Sequence, residues 1–111
     1  MRISLDLDEK PYVVAQNRAR WINHYYDCDV DVYQTNKGYH VESHLIAHRY
    51  ALSPQRQLEV REHLGDDVFR ISMDRERIEK GLEWDVLFHT KNGIKRVKIA
   101  QIRDNIYVDL R

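Results

Sequence analysis

The strictest pattern in this chain is the alternation of apolar and polar residues over positions 2–8, RISLDLD. The apolar residues share one parity and the polar residues share the other: Ile3, Leu5 and Leu7 against Ser4, Asp6 and Asp8. Because successive side chains of a β-strand point to opposite faces, this pattern predicts a strand with one buried face and one polar face. The apolar face must then pack against helices.

The segments that follow continue in the order β-α-β-β-α-β. Helical periodicity, the turn Asn36-Lys37-Gly38 and the glycine and proline positions set the bounds. The predicted elements are a helix from Pro11 to about Tyr26, strands at 28–34 and 39–46, a helix from Ser53-Pro54 to Gly65, a strand over Val68–Met73, a helical turn or two over Arg75–Lys80, a hairpin of 84–90 with 94–102 across Asn92-Gly93, and a last strand in IYVDL.

This order predicts one α+β domain over residues 1–111. It is the order of ferredoxin-like and RNA-recognition-motif-like folds, here with an added C-terminal β-hairpin. Such a fold has a mainly antiparallel sheet with its helices on one face. Right-handed crossovers place the first and third strands side by side in the centre of the sheet.

Composition excludes several classes of protein. Lys plus Arg and Asp plus Glu both number 18, so contact with nucleic acid or an anionic membrane would need a local basic patch. No apolar run approaches the ~20 residues that cross a bilayer, and we expect no membrane partner. A single cysteine, Cys28, excludes an internal disulfide, which suits a reducing, cytoplasmic setting or simply a protein that needs no covalent cross-link. Its apolar parity predicts a core position.

The polar parities of neighbouring strands gather carboxylates and imidazoles on one face of the predicted sheet. They are Asp6, Asp8, Asp29, Asp31, His40, Glu42 and His44. We expect Asp6, Asp8 and His40 to be exposed on this open face. Two aspartates at i and i+2 repel each other, and a hard cation such as Mg²⁺ or Mn²⁺ relieves that repulsion. A triphosphate could complete the coordination shell, with a histidine as phosphate donor, acid or base. The alternative, which spacing alone favours, is an ordinary solvent-facing sheet surface.

Two segments on this face carry a family resemblance: ISLDLD at 3–8 and YQTNKGYHV at 33–41. A strand with two acids, then a helix, then a hairpin that ends in Gly-x-His, resembles the archaeo-eukaryotic primase and primase-polymerase superfamily. The resemblance implies a catalytic core of the RNA-recognition-motif type that acts in DNA replication. In such a core Asp6 and Asp8 would bind the divalent metal, and His40 would contact the phosphates of the incoming nucleotide.

The resemblance also implies a third acid on a later strand, and Asp74 in FRISMD is the candidate. Thr35 stands where the family has a small hydroxyl residue, and Lys37 lies in the same turn. Both are expected to contact the nucleotide together with His40. The implied catalytic set is Asp6, Asp8, His40 and Asp74, with Asp6, Asp8 and Asp74 as ligands of Mg²⁺ or Mn²⁺.

The charged segment after Gly65 allows a second polymerase-like interpretation. Asp66-Asp67 follow Gly65 as in a polymerase GDD motif, but a helix-ending glycine followed by two solvated acids explains the pattern better. The basic residues from Arg70 to Lys80 lie near acids at helical spacing. This pattern predicts a salt-bridged surface helix rather than a phosphate clamp.

The predicted C-terminal hairpin has a basic bias. Its basic residues and an aromatic residue on a nearby strand are the candidates for contact with single-stranded nucleic acid: Lys91, Lys95, Arg96, Lys98 and Tyr33. The alternative is that these lysines only keep the edge of a sheet soluble.

Three functions from different classes therefore remain open. The first is a primase-like domain of nucleic-acid replication, which, if active, is a metal-dependent nucleotidyltransferase. The second is a non-catalytic nucleic-acid-binding module, and the third is a small interaction protein with no catalytic role. Small open-faced sheets pair through edges or faces, so a homodimer or a larger replication complex is a further expectation.

Overall fold

The alternating stretches form the strands of a computed structural model that describes residues 1–85, 90–91 and 94–111. Within these residues the fold is α+β, with a five-stranded antiparallel sheet and three α-helices. The elements in chain order are β1 Ser4–Asp8, α1 Tyr12–Tyr26, β2 Val30–Gln34, β3 Gly38–Ser43, α2 Pro54–His63, α3 Val68–Glu79, β4 Thr90–Lys91, β5 Ile94–Lys95, β6 Val97–Arg103 and β7 Ile106–Asp109.

The strand order of the sheet is β1-β3-β2-β6-β7, and every neighbouring pair is antiparallel. The predicted pairing of the first and third strands is therefore confirmed. Gly38 lets them approach closely at the start of β3, because a Cβ there would lie 2.2 Å from the carbonyl oxygen of Leu7. A larger residue at this position would push the two strands apart.

Helix α1 covers the apolar face of the sheet. Its predicted stripe of Ala15, Ala19, Ile22 and Tyr26 is buried. This stripe packs with the apolar parity of the first three strands in one core, which includes Leu5, Val32 and Val41. The small alanine side chains let the helix lie close to the sheet, so the opposite parity of each strand faces away from α1.

The helix signals around residues 53–67 are confirmed. Ser53 caps α2 by accepting a hydrogen bond from the backbone N–H of Arg56, and Pro54 occupies the first helical position. Gly65 ends α2 with a φ of +85°. The N–H groups of Gly65 and Asp66 donate to the carbonyls of Glu62 and Arg61, which is a Schellman motif.

The strand predicted over Val68–Met73 is wrong, because these residues begin α3. Asp67 caps this helix by accepting from the backbone N–H of Arg70 at 2.9 Å. The predicted helical turns over Arg75–Lys80 belong to the same helix, which ends at Glu79. Since no strand from this segment joins the sheet, β1 lies at a sheet edge rather than in its centre.

Two further predictions concern the C-terminal third. The last strand, predicted in IYVDL, is confirmed as β7. Strands β4 and β5 pair antiparallel, but residues 86–89 and the turn Asn92-Gly93 lie outside the described residues, so the full 84–102 hairpin stays a prediction. Among the described residues, no helix combines the length and apolar character that a membrane crossing requires.

Candidate functional site

The sheet surface that faces away from α1, called here the polar face, carries two rows of ionisable side chains. In the first row Asp6 pairs across the strands with His40, and His40 pairs with Tyr33. In the second row Glu42 lies between Ser4 and Asp31. The parity predicted for the strands therefore holds, and the acids of β1 and the histidine of β3 share one face.

His40 lies at the centre of the first row and makes two polar contacts. Its Nδ1 lies 3.2 Å from Nη1 of Arg96, and its Nε2 lies 3.6 Å from Oδ1 of Asp6. Because an arginine only donates hydrogen bonds, Nδ1 accepts and the ring hydrogen sits on Nε2, facing Asp6. His40 is only 6% exposed, so the prediction of an exposed His40 on an open face is wrong.

Arg96 lies against His40 on the polar face. Its guanidinium lies 3.8 Å from the centroid of the Tyr33 ring, within cation–π distance. It also donates to both carboxylate oxygens of Glu42, at 2.9 and 3.0 Å. This bidentate pair fixes the guanidinium in one orientation above the strands. Burial, followed by the charges of Asp31 and Glu42, raises the pKa of Tyr33.

Asp31 is the centre of a second cluster on the polar face. Arg103 Nη2 donates to it at 2.7 Å, His44 Nε2 lies at 2.9 Å, and Lys98 Nζ lies at 3.4 Å. Burial alone would raise the pKa of Asp31, but the hydrogen bonds from Arg103 and His44 and the charges of Arg103 and Lys98 outweigh it. The pKa of Asp31 is therefore lowered.

Asp74, the predicted third acid, belongs to a different cluster. Its Oδ2 lies 2.8 Å from Nη1 of Arg61 and accepts from the backbone N–H of Asp85 at 3.2 Å. Both Asp74 and Arg61 are 1% exposed. Among the described residues, no three His, Cys, Asp or Glu side chains are arranged to hold a metal ion. Within the part of the chain that the structure describes, Asp74 therefore belongs to no complete metal site.

The full set around Asp74 is called here the buried ion cluster: Arg61, Asp66, Arg70, Asp74 and Asp85. Arg61 Nε and Arg70 Nη1 donate to the same oxygen of Asp66 at 2.8 and 2.7 Å. Arg70 Nη2 donates to Asp85 at 2.6 Å. Asp85 also accepts from the hydroxyl of Ser4. Burial raises the pKa of Asp85, although Ser4 and the two arginines oppose that effect.

The buried ion cluster corrects two predictions from the sequence. Asp66 was expected to be solvated, but it is 4% exposed and accepts from the backbone N–H of Asp6 at 2.7 Å. Arg70 was expected on a surface helix, but its side chain is 10% exposed and donates to the carbonyl of Ser4 at 3.0 Å. The sequence contains one signal for these ion pairs: Asp66, Arg70 and Asp74 follow one another at a spacing of four residues, as on one face of a helix.

The remaining predicted residues have simpler surroundings. Thr35 Oγ1 accepts from the N–H of Gly38 at 3.0 Å and so closes the β2–β3 turn. Lys37 and Lys95 are exposed, and Lys98 is partly exposed beside Asp31. The side chain of Lys91 lies outside the described residues. Cys28 is buried, as predicted, and burial followed by the charges of Asp29 and Asp27 raises its pKa to about 11.

Comparison with known proteins does not identify this arrangement. No family model, no curated protein and no solved structure matches the chain.

Proposed function

We propose that this chain is a primase-polymerase-like domain that binds a nucleoside triphosphate with a divalent cation on the polar face, without polymerising by itself. The observation that carries the proposal is the cross-strand pairing of Asp6 with His40, with Asp8 at the same parity. Asp6 and His40 lie 34 residues apart in the sequence, in the two segments that resemble the family, and they meet on one sheet face. The proposed site needs only three neighbouring strands of the predicted ferredoxin-like order, which are β1, β3 and β2.

The side chains on this face suit a metal–phosphate complex better than a bare metal. Asp6 and Asp8 are partly exposed and offer the carboxylate oxygens that Mg²⁺ and Mn²⁺ prefer. Two acids are fewer than a self-contained cation site needs, so phosphate oxygens and water would provide the remaining ligands. We therefore expect cation and nucleotide to bind together and each to bind weakly alone.

His40 and Arg96 provide the matching donors for a phosphate. The ring N–H of His40 faces Asp6, and the guanidinium of Arg96 lies next to the same ring. Arg96 presents several donors in a planar fork, and this geometry fits two phosphate oxygens as well as it fits the carboxylate of Glu42. A nucleotide on the polar face would compete with Glu42 for this guanidinium.

The proposal excludes unaided polymerisation for a structural reason. Phosphoryl transfer needs several acids that converge with metal ions on the phosphates and the attacking hydroxyl. Asp74 is the third acid implied by the resemblance, and it pairs with Arg61 inside the buried ion cluster. Asp6 and Asp8 can therefore hold a cation against a nucleotide, but the described residues do not complete a catalytic pair of metal sites.

Thermal unfolding tests the binding site directly. Mn²⁺ and ATP together should raise the melting temperature more than the sum of their separate effects. Each ligand completes the binding site of the other, and ligands that bind only the native state stabilise it. Asp8→Asn should lose this joint effect. Asp104→Asn is the matched control, since Asp104 is an exposed turn residue with a φ of +52° that asparagine tolerates. Absence of the joint effect, or its equal loss in both variants, would contradict the proposal.

A single-stranded nucleic acid is a second candidate ligand of the same surface. Lys98 and Arg103, about one third exposed, lie on β6 beside the polar face. Binding through these residues should weaken steeply with salt and should need no metal. Fluorescence anisotropy of a labelled oligonucleotide, with and without Mn²⁺, separates this mode from nucleotide binding at Asp6 and Asp8.

A further inference from the structure

The two edges of the five-stranded sheet differ in how their backbone groups are protected. At the β1 edge, Asp66 accepts from the N–H of Asp6, and Arg70 donates to the carbonyl of Ser4. The α2–α3 turn and the start of α3 thereby occupy backbone groups through which another strand could pair. Open strand edges invite such pairing, and proteins normally cover or blunt them. Among the described residues, no element covers the edge formed by β7.

Every second residue of β7 directs its backbone N–H and C=O groups away from the sheet. Arg103 and Ile106 flank the two-residue turn Asp104-Asn105, whose φ angles are +52° and +63°. Further along, the N–H of Leu110 donates to the carbonyl of Ile99 at 2.8 Å. The backbone groups of Ile106, Val108 and Leu110 therefore form hydrogen bonds with β6. Those of Tyr107 and Asp109 point away from the sheet.

The side chains of β7 form an exposed apolar strip, defined by Ile106, Val108 and Leu110. They are 63%, 41% and 47% exposed. The strip lies on the polar-face side of the sheet, because Tyr107 points the other way and bonds to the hydroxyl of Tyr12 in α1. No lysine, proline or bulge interrupts the strip. Three of the features that usually keep an edge strand from pairing are therefore missing here, although β7 is only four residues long and carries Asp109.

We propose that β7 pairs antiparallel with β7 of a second copy, about a two-fold axis that passes beside Val108. In this register the outward groups of Tyr107 exchange hydrogen bonds with those of Asp109 in the other copy. Val108 lies opposite Val108 of the other copy, and Ile106 lies opposite Leu110. The two apolar strips then form one six-residue cluster, and the two sheets become one continuous ten-stranded sheet.

The alternation of β7 selects this register over its neighbours. Pairing needs outward groups opposite outward groups, so the axis must pass beside a residue rather than between two residues. An axis at Asp109 would set two aspartates against each other, which is unfavourable for a directly opposed pair. An axis at Tyr107 would set Leu110 against Asp104. Only the axis at Val108 matches every residue of the apolar strip with another.

Charge complementarity on the α1 side favours a second copy as the occupant. In the proposed register Asp109 of one copy lies opposite Tyr107 of the other. The guanidinium of Arg20 lies 4.8 Å from the centroid of the Tyr107 ring. The Asp109 carboxylate pairs with Arg111 of its own chain at 2.9 Å, and the register brings this carboxylate toward Arg20 of the other copy as well. The symmetry makes this contact twice. An unrelated strand would need the same charge at the same position.

The interface is narrow, so the dimer should be reversible. One added strand and six apolar side chains make a smaller contact than the ~1,600 Å² of a standard stable complex. We expect a dissociation constant of roughly micromolar order. The inference does not depend on the proposed function, because the apolar strip includes none of Asp6, Asp8 and His40.

Sedimentation velocity over the micromolar range tests the dimer. The unmodified chain should shift from monomer to dimer with concentration, and Val108→Lys should remain monomeric because two lysines would face each other on the axis. Val97→Lys is the matched control: Val97 is 62% exposed on β6 outside the apolar strip, and this variant should still dimerise. A chain that stays monomeric throughout, or a dimer that survives Val108→Lys, would overturn the proposal.

Cysteine cross-linking tests the register. Val108→Cys should form a disulfide-linked dimer under mild oxidation, because residues opposed on neighbouring strands have Cβ atoms about 4.5–5.5 Å apart. Ile106→Cys should not, since the two copies of that residue would lie roughly 13 Å apart along the strands. The native Cys28 is buried and does not compete. Equal cross-linking of both variants would overturn the register.

Discussion

At the scale of single residues, His40 shows what a parity argument can and cannot predict. Alternation in β1 and β3 places Asp6 and His40 on one face, and the structure confirms their pairing. One contact of the buried His40 comes from Arg96, which lies 56 residues further along the chain and also contacts Glu42 and Tyr33. No local periodicity encodes such a contact, so the exposure of His40 was predicted wrongly.

Asp31 should make stability depend on acid pH. Its lowered pKa means that it stabilises the fold above its unfolded value near 3.8, and that this contribution is lost as the pH falls through the lower, folded pKa. Asp31→Asn should cost about 1–3 kcal/mol at pH 7, because Arg103 and His44 lose a charged acceptor. Urea unfolding at pH 7, 5 and 3 should show this cost shrinking toward pH 3.

The control for Asp31 is again Asp104→Asn. Asp104 is exposed in the β6–β7 turn, so its replacement should leave the pH dependence of unfolding unchanged. A constant difference between Asp31→Asn and the unmodified chain at all three pH values would contradict the assigned hydrogen bonds.

At the scale of elements, α3 is where prediction from the sequence failed most. The segment Val68–Met73 contains enough apolar residues to resemble a strand, yet Val68 and Phe69 are 68% and 77% exposed. The signals that define the helix lie at its ends, in the cap Asp67 and in Gly81 with a φ of +69°. Its buried residues are Ile71 and the charged Asp74, and apolar periodicity does not detect a face that is partly ionic.

Asp74→Ala should therefore destabilise the fold strongly. Arg61 would keep its pair with Asp66 but would lose its pair with Asp74 at 2.8 Å, and breaking a buried ion pair costs about 3–5 kcal/mol. The control is Glu76→Ala on the same helix, where an exposed pair with Lys80 is lost and the cost should stay below about 1 kcal/mol. Chemical denaturation measures both values. Similar small losses in the two variants would mean that Asp74 is not a structural residue.

At the scale of the whole molecule, the sequence predicts the fold of the first part of the chain but not the contacts of the part after Gly65. The order β1-α1-β2-β3 follows from alternation and turn signals up to Ser43, and the structure agrees with it. Beyond Gly65 the chain turns around the β1 edge, and Asp66 and Arg70 bond to the backbone of β1. These contacts join segments about 60 residues apart, so the sequence pattern of either segment does not reveal them.

The last prediction concerns what the isolated chain can do with a nucleotide. Binding needs only Asp6, Asp8 and the donors His40 and Arg96, whereas synthesis needs a further acid at the phosphates. Since Asp74 is held by Arg61, we expect the purified chain to bind Mn²⁺ with ATP but to extend no primer and to start no new strand. Primer-extension and primer-synthesis assays with labelled nucleotides measure both steps. Template-directed synthesis that Asp8→Ala abolishes would show instead that the polar face completes a catalytic site without Asp74.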